Sequence, residues 1–391
     1  MRILHVIPTY VPAWRHGGPV YSTHGLARAQ ARAGHEVHVL TTTVNGNGDL
    51  DVPRGRAVEV DGVSVTYFPT ALSRRLYVSP GMGRALAASI DRFDVAHLHS
   101  LFLWPPAAAG HFARKAGVPY FVAPRGMLVR ELVARQGRLR KRLWLALIDR
   151  RNLEGAAGIH VTSELEAAEA RRFGFRLPPV QVIPNGLDAE VFARDPETPP
   201  PPRLAALFAA GPFFLFLGRI SWKKGLERLI AALPGVPAAR LAVAGNDEEG
   251  LLPRLAQQAR ELGVAERVAF LGAVEGDEKA WLLRRCAALV LPSLSENFGN
   301  VVLEAWAAGR PAVVTPEVGL AAEVTAAGAG LVAPGDPESL GAALTTLLAD
   351  PGATDEMGSR GATRVRERYG WDAIAARVEG MYRGIGRTDI N

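Results

Sequence analysis

The sequence predicts an α/β protein of two domains, each built around a parallel sheet. Three observations lead to this prediction. Short β-rich runs alternate with helical patterns along most of the 391 residues, as in parallel strands connected by helices. A proline-rich stretch at 195–202 interrupts the alternation, because proline disrupts both strand ladders and helix interiors. The alternation then restarts, so we predict an N-terminal domain over 1–195 and a C-terminal domain over 203–370.

The N-terminal half opens on a strand, because Arg2–Ile7 is mostly apolar, as in strands that are buried on both faces. A helix follows from Pro19 to Ala33, since proline suits a first helical turn and Gly34 suits a helix end. Five further apolar runs are predicted strands: Glu36–Thr41, Asp94–His99, Tyr120–Ala123, Gly158–Val161 and Val180–Ile183.

The C-terminal half repeats the pattern. Its predicted strands are Phe213–Gly218, Arg240–Ala244, Val268–Leu271, Ala288–Leu291 and Ala312–Thr315. Its predicted helices are Gly225–Leu233, Leu251–Leu262, Asp277–Arg285 and Asn300–Ala308, and two more helices close the chain. In paired domains of this kind, the ligand is expected in the cleft between the carboxyl ends of the two sheets.

Composition excludes several classes of protein. An apolar share of 48% and a charged share of 21% are typical of globular domains and exclude disorder as the main state. The only cysteine, Cys286, excludes a disulfide framework or a multi-cysteine metal site, and its apolar surroundings predict an inert, buried thiol. No run approaches the roughly 18 apolar residues of a membrane span, and the first residues do not form a signal peptide. We therefore expect a cytoplasmic protein.

Charge is distributed unevenly along the chain. Residues 1–195 contain 25 Lys and Arg against 16 Asp and Glu, whereas residues 196–391 contain 20 against 23. The basic half suggests an anionic partner, either nucleic acid, a membrane surface or a phosphorylated substrate. Arginine-rich coding bias is the alternative explanation.

One basic segment, 130–151, has the pattern of a helix that lies on an anionic membrane. Trp144, Leu145, Leu147 and Ile148 alternate with its cations. The cations are Arg130, Arg135, Arg138, Arg140, Lys141, Arg142, Arg150 and Arg151. The alternative is a solvated helix face whose apolar stripe packs on the core. If the segment does contact membrane, the protein is peripheral on the inner face.

The strongest local motif follows the predicted strand at 288–291. Glu296 precedes a predicted helix, and Glu304 lies a little over one turn inside it. The amides at a helix start attract anions, and nearby carboxylates accept hydrogen bonds from sugar hydroxyls. The alternative is that these carboxylates only stabilise the helix dipole.

A second motif follows the first strand of the C-terminal domain, where Arg219 and Lys224 lie five residues apart. At the carboxyl end of a strand, a planar guanidinium and a point-like ammonium form a suitable clamp for a diphosphate. The alternative is a pair of solvated loop cations.

Two weaker motifs lie in the N-terminal half. Gly17 and Gly18 follow the first strand, and paired glycines allow a close approach of backbone to a ligand, although they also occur in ordinary turns. His97 and His99 lie on one face of a strand near its carboxyl end. We expect no third histidine or carboxylate near them, so they are interpreted as polar lining of the cleft or as core residues rather than metal ligands.

In chain order, these motifs resemble those of the retaining glycosyltransferases of family 4. The paired glycines, the His-x-His, the Arg219–Lys224 motif and the two glutamates follow the family's order and rough spacing over essentially the whole chain. The segment from Gly17 to Val39 is also similar to the family's opening. The family has the GT-B fold, in which two Rossmann-like domains with parallel sheets face each other across a cleft. The resemblance also implies that a last helix, about 371–391, crosses back to the N-terminal domain.

The resemblance implies a nucleotide-sugar donor that is bound mainly by the C-terminal domain. Carried over position by position, Arg219 and Lys224 hold the diphosphate, and Glu304 accepts hydrogen bonds from the ribose. Glu296 holds the hydroxyls of the transferred sugar, and His99 lines the reaction centre; these two and the diphosphate clamp form the implied catalytic set. The remaining implied donor contacts are made by backbone: Phe298 and Gly299 beside the sugar, Asn300 and Val301 facing the phosphates, and Gly17 and Gly18 from the N-terminal domain.

The implied reaction is a front-face displacement with retention, in which cations and helix amides stabilise the leaving diphosphate. No cofactor and no divalent metal is implied, and no Asp-x-Asp follows a predicted strand. The implied acceptor is a saccharide or a lipid-linked saccharide. The segment Pro124-Arg-Gly-Met-Leu128 is similar to members that build bacterial surface polysaccharides.

Other functions stay open at this point. A fold-related epimerase would need a sugar-phosphate pocket, and a phosphorylase would need a cofactor lysine; neither is visible in the sequence. A non-catalytic sugar-nucleotide-binding or scaffold protein is disfavoured by the complete set of charged residues. A nicotinamide oxidoreductase lacks its glycine fingerprint, and a nucleic-acid binder lacks a recognisable reading motif.

Overall fold

The computed structural model describes residues 1–14, 17–130, 138–196 and 198–384, with the backbone alone at 138–140. The chain divides into two compact units. The N-terminal unit comprises residues 1–186 and the chain from Trp371 onward, and the C-terminal unit comprises residues 187–370. Both units are α/β and contain parallel sheets, which confirms the predicted fold class.

The division falls earlier in the chain than the sequence predicts. Residues that we assigned to the end of the N-terminal domain pack on the C-terminal unit instead. Arg284 forms an ion pair with Asp195 (Nε to Oδ1, 2.6 Å) and donates to the Ala193 carbonyl at 2.9 Å. Proline disrupts strand ladders and helix interiors, yet the stretch 195–202 still contacts this unit: the Trp281 indole donates to the Thr198 carbonyl at 2.8 Å, and Pro202 begins a helix. Composition alone therefore placed the boundary too late.

The N-terminal unit has an eight-stranded sheet in the order β10-β9-β8-β7-β1-β2-β6-β5. Its strands are β1 Arg2–Val6, β2 Glu36–Thr42, β5 Ala57–Val60, β6 Val63–Phe68, β7 Val95–His99, β8 Tyr120–Ala123, β9 Gly158–Val161 and β10 Val180–Val182. All pairs are parallel except β5 with β6, which form an antiparallel hairpin. A small separate ribbon pairs β3 (Val44–Asn45) with β4 (Gly48–Asp49). The six strands predicted in this half are all present.

The helices of this unit cover its parallel sheet. They are α1 Gly18–Arg32, α2 Pro80–Ser89, α3 Trp104–Ala116, α4 Arg138–Trp144, α5 Arg150–Glu154, α6 Glu164–Arg171 and α16 Trp371–Arg383. A π-helical turn, Leu145–Asp149, joins α4 to α5. The indole of Trp371 packs so closely on Gly25 and Gly186 that a Cβ at either position would lie within 2.2 and 2.6 Å of it, respectively. The last helix is therefore an integral part of the N-terminal unit.

The C-terminal unit has a wholly parallel six-stranded sheet in the order β13-β12-β11-β14-β15-β16. Its strands are β11 Phe214–Leu217, β12 Leu241–Ala244, β13 Val268–Gly272, β14 Ala288–Leu291, β15 Ala312–Val314 and β16 Gly330–Val332. Its helices are α7 Glu190–Ala193, α8 Pro202–Ala209, α9 Leu226–Ala232, α10 Leu252–Glu261, α11 Gly276–Arg285, α12 Asn300–Ala307, α13 Ala321–Ala327, α14 Pro337–Ala349 and α15 Pro351–Arg368. Strand order reverses between β11 and β14, which is where open α/β sheets bind ligands.

The central strands of both sheets are buried and form the two cores. Cys286 lies fully inside the C-terminal core, where burial raises the pKa of its thiol to about 12. The thiol is therefore protonated at neutral pH, as the sequence predicts for an inert core cysteine. Among the described residues, no helix has both the length and the apolar character needed to cross a bilayer.

Candidate functional site

The switch point of the C-terminal sheet brings two of the predicted motifs together. Lys224 lies in the loop after β11 and Glu296 in the loop after β14. The Lys224 ammonium forms a direct ion pair with Glu296 Oε2. The two loops are also joined by backbone, because Leu294 N–H donates to the Lys223 carbonyl at 2.7 Å. The sequence places Lys224 and Glu296 after two different strands. Because β11 and β14 are adjacent and parallel, their carboxyl ends lie side by side.

Glu296 is held as a carboxylate. Burial acts to raise the pKa of Glu296, but the Lys224 ammonium and the Phe298 N–H oppose it and together lower the pKa below its usual value. A carboxylate with a lowered pKa accepts hydrogen bonds and does not donate them. Glu296 is thus suited to hold hydroxyl groups.

Arg219 lies on the same loop but has a different partner. Its guanidinium forms an ion pair with Glu248 (Nη1 to Oε2, 3.0 Å), and about half of the Arg219 side chain is exposed. Arg219 still contributes to lowering the pKa of Glu296 through its charge. An anion bound at this loop would compete with Glu248 for Arg219. Glu248 is a residue that sequence reasoning missed.

Helix α12 begins beside this ion pair. Gly299 precedes the helix with a left-handed φ of 97°, and the first turn of α12 carries no acidic side chain. The N–H groups of a first helical turn, here at Asn300 and Val301, favour anions. Phe298 is buried, so its side chain anchors the turn while its N–H serves Glu296.

The two carboxylate oxygens of Glu304 have different surroundings. Its Oε1 accepts from Lys279 Nζ at 2.8 Å. Its Oε2 is buried and has no hydrogen-bond partner among the residues that the structure describes. Such an atom is costly unless a ligand or water satisfies it. Lys279 was not predicted, because it lies in the charged run 277–279 that is typical of a solvated helix face.

Gly17 and Gly18 lie at the start of α1 in the N-terminal unit. Gly17 has a φ of 73°, and the space where its Cβ would lie is open to at least 4 Å. Val20 N–H donates to the Gly17 carbonyl, so Gly17 caps the helix through its backbone. The neighbouring His16 lies outside the described residues.

The prediction that no third histidine lies near His97 and His99 is wrong. β1 pairs with β7 so that His5 is directly opposite His97, and ring nitrogens of His5, His97 and His99 all lie within 4.8 Å of one another. His160 on β9 adds a fourth ring, 3.3 Å from His97 (Nδ1 to Nε2). The prediction failed because it considered neighbours along one strand, whereas the added rings come from other strands.

The ring of His99 is fully buried and both of its nitrogens are occupied. Nε2 is 3.0 Å from His5 Nδ1, and Nδ1 accepts from the Arg125 guanidinium at 3.1 Å. Burial is the main cause that lowers the pKa of His99 well below its usual value, and the charge of Arg125 acts in the same direction. In this arrangement the imidazole is neutral and offers no ring nitrogen to a substrate.

A divalent metal fits this histidine cluster poorly. Neutral imidazoles are good ligands for Zn²⁺, and three of them are close enough together. However, Arg125 contacts His99 directly, so an ion there would add a double positive charge beside a guanidinium with no carboxylate in the set. The donor set is better explained as a hydrogen-bonded cluster.

Comparison with known proteins gives the family. A family model described as "Glycosyl transferase 4-like domain" matches residues 17–186, and one described as "Glycosyl transferases group 1" matches residues 206–364. A glycogen synthase of Mycobacterium tuberculosis is 30% identical over all of this chain and 96% of its own length. A D-inositol 3-phosphate glycosyltransferase of Xylanimonas cellulosilytica is 29% identical over 91% of this chain and 89% of its own.

A solved structure shares the fold. Anabaena Alr3699/HepE, determined in complex with UDP-glucose, superposes with a TM-score of 0.77 at 19% identity, over 98% of this chain and all of that one. The order of the motifs, the two parallel sheets, the switch point of the C-terminal sheet and these matches agree with one another. The chain belongs to the GT-B glycosyltransferases of the family 4 type.

Proposed function

We propose that this glycosyltransferase transfers a hexose from a nucleotide-diphosphate-sugar to a saccharide or lipid-linked saccharide, with retention of configuration and without a divalent metal. The observation that carries the proposal is the largely buried Lys224–Glu296 ion pair at the switch point of the C-terminal sheet. A cation for phosphate and an acceptor for sugar hydroxyls are thereby held side by side, at the edge where α/β sheets bind ligands.

Each charged group has a role in the proposed reaction. Lys224, Arg219 and the first amides of α12 stabilise the negative charge that develops on the leaving diphosphate. Glu296 accepts hydrogen bonds from hydroxyls of the transferred sugar. The unpartnered Oε2 of Glu304 accepts a hydrogen bond from the ribose. The bond from the sugar to the diphosphate breaks as the acceptor oxygen attacks from the same face, and a diphosphate oxygen takes the acceptor proton.

Relatives support a nucleotide-sugar donor. The HepE structure was determined with UDP-glucose, and the named relatives include a glycogen synthase and inositol-phosphate glycosyltransferases. The names of these relatives imply a glucan acceptor for the first and a phosphorylated polyol acceptor for the second. Both classes are therefore acceptors to be tested with this protein. A role in surface polysaccharide assembly rests on the Pro124–Leu128 segment alone.

We propose further that the basic segment 130–151 contacts an anionic membrane surface from the cytoplasmic side; residues 131–137 and the side chains of 138–140 lie outside the described residues. Leu143 and Leu147 are unusually exposed for leucine, at 51% and 72%, and they lie one helical turn apart. Arg142, Arg150 and Arg151 are exposed on the same segment. Apolar side chains flanked by arginines suit the boundary between acyl chains and anionic headgroups.

The donor site is tested by thermal shift with UDP, GDP and ADP, and then with their sugar derivatives. A ligand that binds the folded state raises the melting temperature by mass action. We expect one nucleotide to raise it in the wild type and in Lys223→Ala, with or without EDTA. In Lys224→Ala the affinity should fall about tenfold to a hundredfold, because a charge-assisted contact with phosphate is lost. Lys223→Ala is the matched control, since it removes the same charge from the same turn.

Glu296→Gln separates nucleotide binding from sugar binding. The amide retains the shape of the side chain, so we expect the shift with free nucleotide to persist while transfer is abolished. The anomeric configuration of the wild-type product, read by NMR, tests retention. The proposal is contradicted if no nucleotide changes the melting temperature, if Lys223→Ala weakens binding as much as Lys224→Ala, or if EDTA abolishes transfer.

A further inference from the structure

The hydrogen bonds of the histidine cluster form two series, and each series ends on a group that can only donate or can only accept. That group fixes the direction of the bonds in its series. At one end, Arg125 can only donate, so His99 Nδ1 must accept. A neutral imidazole that accepts at one nitrogen donates from the other, so His99 Nε2 donates to His5 Nδ1. By the same step, His5 Nε2 donates to Gln30 Oε1 at 2.8 Å. This first series therefore runs from Arg125 to the amide of Gln30.

A second series ends on a carbonyl, which can only accept. The Ile183 carbonyl accepts from His160 Nε2 at 2.9 Å, so His160 Nδ1 accepts from His97 Nε2. His97 Nδ1 then accepts from the Tyr382 hydroxyl at 2.8 Å. With neutral rings, these bonds place the proton of all four histidines on Nε2. Burial is the main cause that lowers the pKa of His5 to about 4 and of His160 to about 3, in agreement with neutral rings.

The consequence falls on Arg125. The guanidinium is held between two neutral acceptors, His99 Nδ1 and the Asn185 side-chain oxygen (3.0 Å). The charge of Glu166 acts on Arg125, but the Glu166 carboxylate oxygens accept from Gly126 N–H (2.6 Å) and from the N–H and hydroxyl of Thr162 (2.8 and 3.0 Å). Among the residues that the structure describes, Arg125 thus has a positive charge without a directly paired anion.

Arg125 also has N–H groups that no described residue accepts. Of its five N–H groups, one on each terminal nitrogen is used, and Nε is buried without a partner among the described residues. Burial lowers the pKa of Arg125 to about 10, against the opposing effect of Glu166. A cation in this state is stabilised by any anion that can reach it.

The position of Arg125 is that of a ligand-binding residue. It lies two residues after β8, at the carboxyl end of the sheet, and is only partly buried, whereas the histidine rings behind it are buried. Three non-glycine residues in the loops after β7 and β8 have left-handed backbones: Ser100 (φ 78°), Phe102 (φ 58°) and Arg125 (φ 55°). Such strain is concentrated at functional sites.

We propose that Arg125 binds an oxyanion of the acceptor, a phosphate or a carboxylate, and that the neutral histidine cluster is the rigid support that holds the guanidinium in place. The inference deepens the proposed function, on which it rests, because it assigns a charge class to the acceptor. His99 acts here as a positioning residue, since its ring reaches the substrate only through Arg125.

Arg114 provides a matched internal control. Its guanidinium is likewise bound by neutral groups, the Tyr120 hydroxyl (2.9 Å) and the Asn152 side-chain oxygen (2.5 Å). However, it lies in the last turn of α3 and contacts Tyr120 at the amino end of β8, the opposite end from Arg125. Neutral partners alone therefore do not distinguish the two arginines, and only Arg125 lies at the carboxyl edge.

The experiment uses full-length protein labelled with ¹⁵N-arginine. The Nε–H signals of Arg114, Arg125 and Arg219 are assigned from single Arg→Lys variants. Sodium phosphate, sodium acetate and sodium chloride are then titrated at matched ionic strength. We expect a saturable shift of the Arg125 signal with phosphate, with acetate or with both, no shift with chloride, and no saturable shift of Arg114. A response to phosphate alone indicates a phosphorylated acceptor, and a response to acetate alone indicates a carboxylated one.

The inference is overturned if the Arg125 signal responds to phosphate and acetate no more than the Arg114 signal does. The Arg219 signal is followed separately during titration with the nucleotide that raises the melting temperature. A response of Arg219 to nucleotide with a silent Arg125 would remove this inference and leave the donor site intact. If the Arg125 signal responds to the oxyanions and the Arg219 signal does not respond to nucleotide, the inference stands and the proposed donor site is contradicted.

Discussion

Asp149 shows how one buried residue couples stability to pH. Its carboxylate accepts from Phe102 N–H at 2.8 Å, and its side chain is almost fully buried. Burial raises the pKa of Asp149 to about 7, although the hydrogen bond from Phe102 opposes the increase. The same bond supports the left-handed backbone at Phe102, in the loop after β7.

We expect Asp149→Asn to change the pH dependence of unfolding. The unfolded pKa of aspartate is about 4, so between about pH 4 and 7 the folded state binds the extra proton and stability decreases as pH rises. The asparagine variant lacks this decrease. Relative to wild type it should therefore gain about 2–4 kcal/mol in free energy of unfolding between pH 4 and pH 8, as measured by urea denaturation. The exposed Asp91→Asn is the control, and parallel curves for wild type and Asp149→Asn would refute the assignment.

At the residue scale, the sequence predicted individual site residues better than it predicted which residues contact them. Lys224 and Glu296 were placed correctly at two strand ends, because turn residues and apolar runs are visible locally. Lys279, Glu248 and His5 were missed, since each meets its partner across 25 or more residues of chain. Only the pairing of strands and helices, which depends on packing of the whole unit, brings such residues together.

Among the elements, the turn that carries Lys224 depends on one glycine. Gly225 ends the turn Trp222–Lys224 with a left-handed φ of 65°, and a Cβ there would lie 2.2 Å from the Pro292 carbonyl oxygen. The loops after β11 and β14 are therefore in direct backbone contact. This contact places the Lys224 ammonium against Glu296.

Gly225→Ala should therefore destabilise the fold and weaken nucleotide binding together. Gly263→Ala is the control, because Gly263 has nearly the same φ, 67°, but open space where a Cβ would lie. We expect the control to cost about 1–2 kcal/mol for the left-handed alanine, and Gly225→Ala to cost about 1–3 kcal/mol more. Denaturation and the thermal shift with nucleotide measure the two effects. Equal costs, or unchanged nucleotide binding in Gly225→Ala, would contradict this account.

The central strands and the helices beside the site were predictable, whereas the short or edge strands β3, β4, β5, β6 and β16 were not predicted. The hairpin β5–β6 was overlooked, although Asp61-Gly62 between alternating apolar residues is a strong signal for a two-residue turn, and both have positive φ (50° and 79°). The alternation of strands and helices predicts only parallel strands that are separated by helices. An antiparallel strand at the edge of such a sheet has no helix before it.

For the molecule as a whole, the excess of positive charge in the first half gives a testable surface property. We expect the wild type to float with vesicles that contain anionic lipid at low salt, and not with zwitterionic vesicles. Leu147→Glu should weaken this binding about tenfold to a hundredfold, because one exposed leucine no longer inserts and a negative charge is added. Binding should also decrease with salt.

The control for membrane binding is Leu165→Glu. Leu165 is exposed on α6 of the same unit, at 38%, but lies outside the basic segment. It should bind vesicles like the wild type. If the wild type ignores anionic vesicles at low salt, or if both variants lose binding equally, the segment is a solvated helix face.

At the level of the whole chain, the order of motifs predicted the family and the two sheets, since each motif lies at a strand end that the fold requires. The boundary between the units was predicted less well. The boundary depends on which unit the residues after Gly186 contact, for example through the ion pair of Asp195 with Arg284. Composition does not predict such contacts.

The placement of α16 has a consequence for the order in which the protein is made. Ribosomes synthesise proteins from the N-terminus, and domains generally fold as they emerge. Here the N-terminal unit lacks Trp371 and Tyr382 until the whole of 187–370 has been translated. Until then Gly25 and Gly186 have no indole to pack on, and His97 has no hydroxyl to donate to it. The C-terminal unit, which is continuous in the chain, is complete first, so the unit whose synthesis begins first is the last to acquire all of its side chains.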